Sequence, residues 1–141
     1  MVDMFALDDE LAQWDAALPE VQGSERLQLL MALAWHLRQR DPARARQLSA
    51  DMLPLLAVLS PQDAALYRAR LQLITAEPAW LRGELDTAQH HAEQALHLCQ
   101  QVAATQPVAA AACRADACWV MAWASNDRGR SADGDHWLRQ A

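Results

Sequence analysis

Alanine and leucine dominate this chain, and they limit its fold more than any other feature. The 141 residues include 30 Ala and 21 Leu but only six Val, one Ile and three Thr. Ala and Leu stand near the top of the helix-propensity scale, whereas the β-branched residues that favour strands are nearly absent. The composition therefore predicts an all-α protein and excludes a β-sandwich, a β-barrel or a Rossmann domain. The four glycines, none adjacent to another, also exclude a glycine-rich phosphate loop.

Charge and cysteine content narrow the classes of partner. The formal net charge of −6 argues against nucleic-acid binding, which requires a basic surface to neutralise phosphates. No apolar stretch approaches the length of a membrane span, about 20 residues, and the acidic N-terminus lacks the basic start of a signal peptide. We therefore expect a cytoplasmic protein with three reduced cysteines and with neither a membrane nor a nucleic acid as partner.

Breaks in the apolar pattern divide the chain into seven helices. Asp41 and Ser60 each precede a proline, so their side chains can cap a helix whose first position proline occupies. Ser24 is predicted to cap the second helix. Pro54 is expected to bend or end the third helix, and Pro78 to kink the fourth. The first two predicted helices cover about residues 3–18 and 24–40, and the third and fourth begin at 42 and 61. The last three cover about residues 86–103, 107–126 and 132–141.

An internal repeat accompanies these helices. The segment Gly83-Glu84-Leu85-Asp86-Thr87-Ala88 is followed by Ala92, Ala95 and Leu96, so that small residues recur four and seven positions after Ala88. This pattern resembles the second half of a tetratricopeptide repeat, in which helices approach closely at small residues. Ala76 and Ala122, each seven residues before a turn glycine, match the small residue of the first helix. The resemblance implies an all-α, tetratricopeptide-like superhelix of stacked antiparallel hairpins. Its single domain, residues 1–141, would comprise an N-terminal capping helix at 1–20 and hairpins at 24–59, 61–104 and 107–141.

Two departures from that pattern affect the prediction. The steps from Ala45 to Ala88 to Gly134 are 43 and 46 residues, longer than the usual repeat of about 34. Helices longer than usual would absorb the difference. Gly134 stands where a packing alanine belongs, so the last helix is expected to be weak or irregular. A helical bundle without repeats is the alternative architecture.

The resemblance also implies a binding groove, because the first helix of each hairpin lines the concave face in this family. The groove implied here contains tryptophans and one arginine, a combination that favours binding of an extended peptide or a partner helix. In the alternative interpretation, the six tryptophans simply fill gaps that an alanine-rich core leaves open. The implied groove residues are Arg70, Leu73, Glu77 and Trp80 in the middle hairpin and Asp116, Trp119, Trp123 and Asn126 in the last.

Other clusters of reactive side chains have simpler interpretations. His90, Glu93 and His97 could share a helix face, but a metal site needs a ligand from another helix and none is evident, so we expect them to be solvated. No Ser–His–Asp or Cys–His arrangement can be assembled. The chain is therefore expected to be no enzyme and to hold no metal or cofactor. Packing as small hydrophobic residues is expected for Cys99, Cys113 and Cys118.

A more specific resemblance lies in residues 117–129, with the sequence ACWVMAWASNDRG. Within an alanine- and arginine-rich helical region, it is similar to the sensory region that precedes GGDEF diguanylate cyclase domains in some proteobacteria. This implies a non-enzymatic signalling scaffold that regulates an attached cyclase. A free-standing adaptor and a dimerising or small-ligand-binding bundle are the alternatives. Trp137 and Leu138 are expected to be uncovered, which favours a homodimer through the C-terminal hairpin or a following domain.

Overall fold

The computed structural model describes residues 6–141, which form helices and connecting turns. No strand occurs in that range, so the predicted all-α class is confirmed. Residues 3–5, with which the first predicted helix begins, lie outside the described residues. The seven α-helices within residues 6–141 are α1 (Asp8–Ala17), α2 (Gly23–Leu37), α3 (Pro42–Ala57), α4 (Pro61–Leu81), α5 (Leu85–Val102), α6 (Pro107–Asp127) and α7 (Ser131–Gln140), with a short 3-10 turn at Leu18–Glu20.

Polar side chains cap two of the helices as predicted. Asp41 Oδ1 accepts a hydrogen bond of 3.0 Å from the backbone N–H three residues later, and Ser60 Oγ accepts the equivalent bond at 3.1 Å. These bonds satisfy donors that the first helical turn otherwise leaves unpaired. The predicted cap at Ser24 is wrong, because α2 already begins at Gly23. Gln22 is its N-cap, and no side chain caps that end.

Both internal prolines lie inside continuous helices. α3 continues through Pro54 to Ala57, and α4 continues through Pro78 to Leu81. Proline cannot donate to the carbonyl four residues back, so each one removes a backbone hydrogen bond. Met52 and Leu56 are buried on either side of Pro54, and their packing keeps that turn helical. The expectation that Pro54 could end α3 is therefore wrong.

The chain divides into two compact units, one ending at Leu59 and the other running from Ser60 to Ala141. In the first unit α2 packs against α3, and α1 contacts α2. Leu56 is buried whereas its neighbour Leu55 is only half-buried. The buried apolar residues of these two helices are Leu27, Leu30, Met31, Leu33 and Ala34 in α2 and Ala45, Leu48, Met52 and Leu56 in α3.

In the second unit, each helix packs against the next one in the chain, from α4 to α7, and α4 also contacts α6. Short turns join the successive helices, so consecutive helices run antiparallel. Ala88, Ala92 and Ala95 are fully buried, as the repeat pattern predicts, while the larger Val120 and Met121 fill the space between helices. One core cluster therefore combines Ala76 and Ala79 of α4, Ala88 and Ala92 of α5, and Val120 and Met121 of α6.

Gly134 allows α7 to approach α6 closely. A Cβ added there would lie 2.1 Å from Asn126 Oδ1 and 3.1 Å from the backbone oxygen of Ala122, closer than atoms normally pack. The glycine is thus a contact residue within a continuous α7, and the expected irregularity of this helix is absent. Trp137 is half-buried against the core cluster, so the expectation that it lies uncovered is wrong, whereas Leu138 is exposed.

Candidate binding surface

Three tryptophans from two helices contact one another on the second unit. The ring centroids of Trp80 (α4) and Trp119 (α6) are 5.3 Å apart, and those of Trp80 and Trp123 (α6) are 5.9 Å apart. Trp119 and Trp123 lie 5.8 Å from each other. These spacings are typical of packed aromatic pairs. Trp119 and Trp123 nevertheless remain 38% and 40% exposed, so much of their apolar area faces outward.

One acidic residue completes this cluster. The indole N–H of Trp80 donates a hydrogen bond of 2.7 Å to Asp127 Oδ2. Asp127 is exposed and is the last residue of α6, one turn beyond Trp123. The bond fixes the Trp80 ring beside the end of α6. We call Trp80, Trp119, Trp123 and Asp127 the tryptophan surface.

Two contacts show that α4 and α6 run parallel. Arg70 pairs with Asp116, 46 residues later, and Trp80 bonds to Asp127, 47 residues later. Nearly equal offsets at two places along the helices require the same direction. Asp116 and Asp127 are 11 positions apart, so the helical rise separates them by about 16 Å. The face between them can accommodate about five residues of an extended peptide.

The parallel arrangement places both helix C-termini beside the tryptophan surface, where the helix dipoles contribute partial negative charge. The residues that follow the two helices, Arg82 and Arg128, are both engaged in ion pairs. Arg82 binds Glu84 at 2.8 Å, and this hydrogen bond lowers the pKa of the Glu84 carboxyl. Arg128 pairs with Asp86 of α5. The two arginines at the helix ends thus pair with Glu84 and Asp86, and neither pairs with Asp127.

The structure brings together most of the residues implied by the resemblance. Arg70 and Asp116 form the ion pair, and Trp80, Trp119 and Trp123 form the aromatic cluster. Leu73 and Glu77 are buried beneath the face, and Asn126 is half-buried next to Gly134. The repeat pattern in the sequence does not single out Asp127. Asp127 lies four residues after Trp123, so the two side chains share a helix face, and this spacing could have indicated a common surface. Acidic residues are also common before glycine turns, so the spacing alone is a weak signal.

The histidines of α5 occupy two environments. His90, Glu93 and His97 are exposed, as expected. His91 is half-buried, and its Nδ1 lies 2.6 Å from Gln72 Oε1 of α4. Burial lowers the pKa of His91, and the charge of His90 adds to this effect. Within residues 6–141, no group of three or more His, Cys, Asp or Glu side chains is placed to hold a metal ion.

The cysteines are free and buried, and two of them interact across α5 and α6. A hydrogen bond between the side chains of Cys99 and Cys113 lowers the pKa of Cys99. The same bond, together with burial, raises the pKa of Cys113. Burial also raises the pKa of Cys118. The thiols of Cys99 and Cys113 therefore lie at the contact between α5 and α6, and none of the three buried cysteines contributes to an exposed face.

In the described part of the chain, no helix combines the length and apolar character needed to cross a membrane. Comparison of the chain with protein-family models, with curated proteins and with solved structures finds no match in any of the three.

Proposed function

We propose that this chain is a non-enzymatic, tetratricopeptide-like scaffold that binds an extended peptide or a partner helix across the tryptophan surface. One observation carries the proposal: Trp119 and Trp123 belong to a packed aromatic cluster and yet keep more than a third of their area exposed. Tryptophans that only filled the core would be covered. Rigid, partly exposed tryptophans are the typical anchors of a protein interface because they supply apolar area at little cost in side-chain entropy.

The geometry around the cluster supports the same proposal. The ion pair of Arg70 with Asp116 and the hydrogen bond of Trp80 to Asp127 link α4 to α6 at both ends of the face. A surface held in this way needs little rearrangement on binding, which favours affinity. The face is long enough for about five extended residues, the size of a short linear motif.

A regulatory role would use the same surface. Residues 117–129, which are similar to sensory regions preceding GGDEF domains, include both exposed tryptophans and Asp127. We propose that in a longer protein the scaffold would transmit occupancy of this surface to an attached catalytic domain. Self-association through the C-terminal hairpin stays a prediction, for which Leu138 is the exposed apolar residue of α7.

Calorimetry with a small peptide panel tests the binding function. The panel consists of acetylated, amidated hexapeptides in which leucine alternates with arginine, citrulline or glutamate. At least one peptide should bind the parent, and Trp123→Ala should weaken that binding about tenfold while lowering the melting temperature by less than about 4 °C. Trp137→Ala, which removes a core-packed tryptophan, is the control and should show the reverse pattern. If no peptide binds, the binding function is wrong, and if Trp123→Ala simply unfolds the protein, Trp123 serves the core and not a partner.

A further inference from the structure

We infer that the tryptophan surface selects a cationic segment, a peptide that presents an arginine or lysine side chain to the exposed indole faces and to Asp127. This inference rests on the proposed binding function and specifies the chemistry of the partner. It follows from three features: the direction of the two helices, the position of one carboxylate and the exposed faces of two indoles.

Helix direction is the first feature. α4 and α6 run parallel, so both of their C-termini, at Leu81 and Asp127, lie beside the aromatic cluster. Each C-terminus carries partial negative charge, which attracts cations and repels carboxylates. An acidic peptide would therefore meet repulsion at the place where its apolar side chains would bind.

Asp127 adds a full charge to the same place. Its Oδ2 accepts the Trp80 hydrogen bond, while the side chain remains exposed to an incoming group. The arginines that follow α4 and α6 pair with Glu84 and Asp86, and Arg70 pairs with Asp116. Arg130, three residues after Asp127, pairs with Asp133 at 3.7 Å. Within residues 6–141 Asp127 forms no ion pair, so the complementary cation is left for the partner to supply. A guanidinium could also donate two hydrogen bonds in a fixed plane.

The exposed indoles supply the third feature. A cation within about 6 Å of an indole centroid is attracted by the negative face of the ring, and tryptophan is the strongest aromatic partner. This chain already contains such a contact, since the Arg38 guanidinium carbon lies 3.8 Å from the centroid of the Trp35 ring. Trp119 and Trp123 present equivalent rings, 38% and 40% exposed, next to the Asp127 carboxylate. One arginine of the partner can stack on the indole of Trp119 or Trp123 and, at the same time, pair with the Asp127 carboxylate.

The three hexapeptides separate this inference from the binding function itself. Arginine and citrulline have nearly the same shape, but citrulline is neutral, so the difference between them isolates the charge. We expect the arginine peptide to bind about tenfold tighter than the citrulline peptide and the glutamate peptide to bind most weakly. Raising the salt concentration should reduce the preference for arginine, because salt screens exposed charges.

Substitution of Asp127 tests whether its carboxylate causes the preference for the arginine peptide. Asp127→Asn keeps an oxygen that can accept the Trp80 hydrogen bond but removes the charge, so it should reduce the arginine preference to about threefold or less. Asp135→Asn removes an equal charge from an exposed site on α7 and should leave the preference intact. Equal binding of the arginine and citrulline peptides, or tighter binding of the glutamate peptide, would overturn the cationic partner and leave the binding function standing. Failure of all three peptides to bind would overturn both.

Discussion

At the scale of single residues, small side chains set the spacing between the helices. Ala95 is fully buried on α5, whereas its neighbour Gln94 is exposed. We expect Ala95→Arg to destabilise the protein by about 3 kcal/mol, since a long charged side chain has neither space nor solvent there. Gln94→Arg introduces the same side chain one position away and should be close to neutral. Urea unfolding monitored by circular dichroism measures both, and equal midpoints would show that the repeat register is wrong.

The burial of individual core residues could be predicted where the repeat pattern specified their positions. The burial of Ala88, Ala92 and Ala95 follows from their four- and seven-residue spacing. The contacts of Asp127 and Gly134 could not be predicted, because each depends on a neighbouring helix. Asp127 gains its role from the Trp80 ring of α4, and Gly134 gains its role from Asn126 of α6. A pattern read along one helix does not contain these partners.

At the scale of helices, local chemistry decides where an element begins. Ser60 caps α4 through a bond to a backbone N–H, whereas Ser24 lies inside α2 and no side chain caps that helix. We expect Ser60→Ala to lower the free energy of unfolding by about 1 kcal/mol. Ser24→Ala removes the same hydroxyl from a residue that looked equivalent in the sequence and should cost little. Thermal melts of the two variants distinguish them, and a similar loss in both would mean that the cap at Ser60 contributes no stability of its own.

Helix boundaries were predictable to within a few residues because capping residues and apolar spacing are local signals. The exceptions have tertiary causes. α3 passes Pro54 because Met52 and Leu56 are both buried, and packing outweighs one lost hydrogen bond. The tryptophan surface was predictable only in part. The resemblance placed α4 and α6 side by side, but the contact distances and the exposed fraction of each indole depend on how the two helices pack.

At the scale of the whole molecule, the chain forms two compact units that meet at residues 59 and 60. This boundary coincides with the predicted junction between the first and second hairpins, where Ser60 and Pro61 provide a strong helix start. Composition is uniform across that junction, since both units are rich in alanine and leucine. The sequence therefore indicates where the first hairpin ends. It contains no signal that the chain divides into two compact units at that point.

The second unit contains every residue of the tryptophan surface and a core of its own. Two core clusters, one including Ala76 and Val120 and the other including Ala65 and Val102, draw only on residues between 60 and 141. The Arg70–Asp116 ion pair and the tryptophan surface also lie in this range. A fragment of residues 60–141 exceeds the size of about 60 residues at which many domains fold alone.

We therefore expect this fragment to be helical, to unfold cooperatively and to bind the arginine hexapeptide within about threefold of the affinity of the whole chain. The matched control is the same fragment carrying Trp123→Ala, which should stay folded and lose most of the binding. Circular dichroism and calorimetry measure folding and binding separately. A fragment that folds but does not bind would show that residues before Ser60 form part of the binding surface. A fragment that fails to fold would show that the clusters of the second unit are insufficient as an independent core.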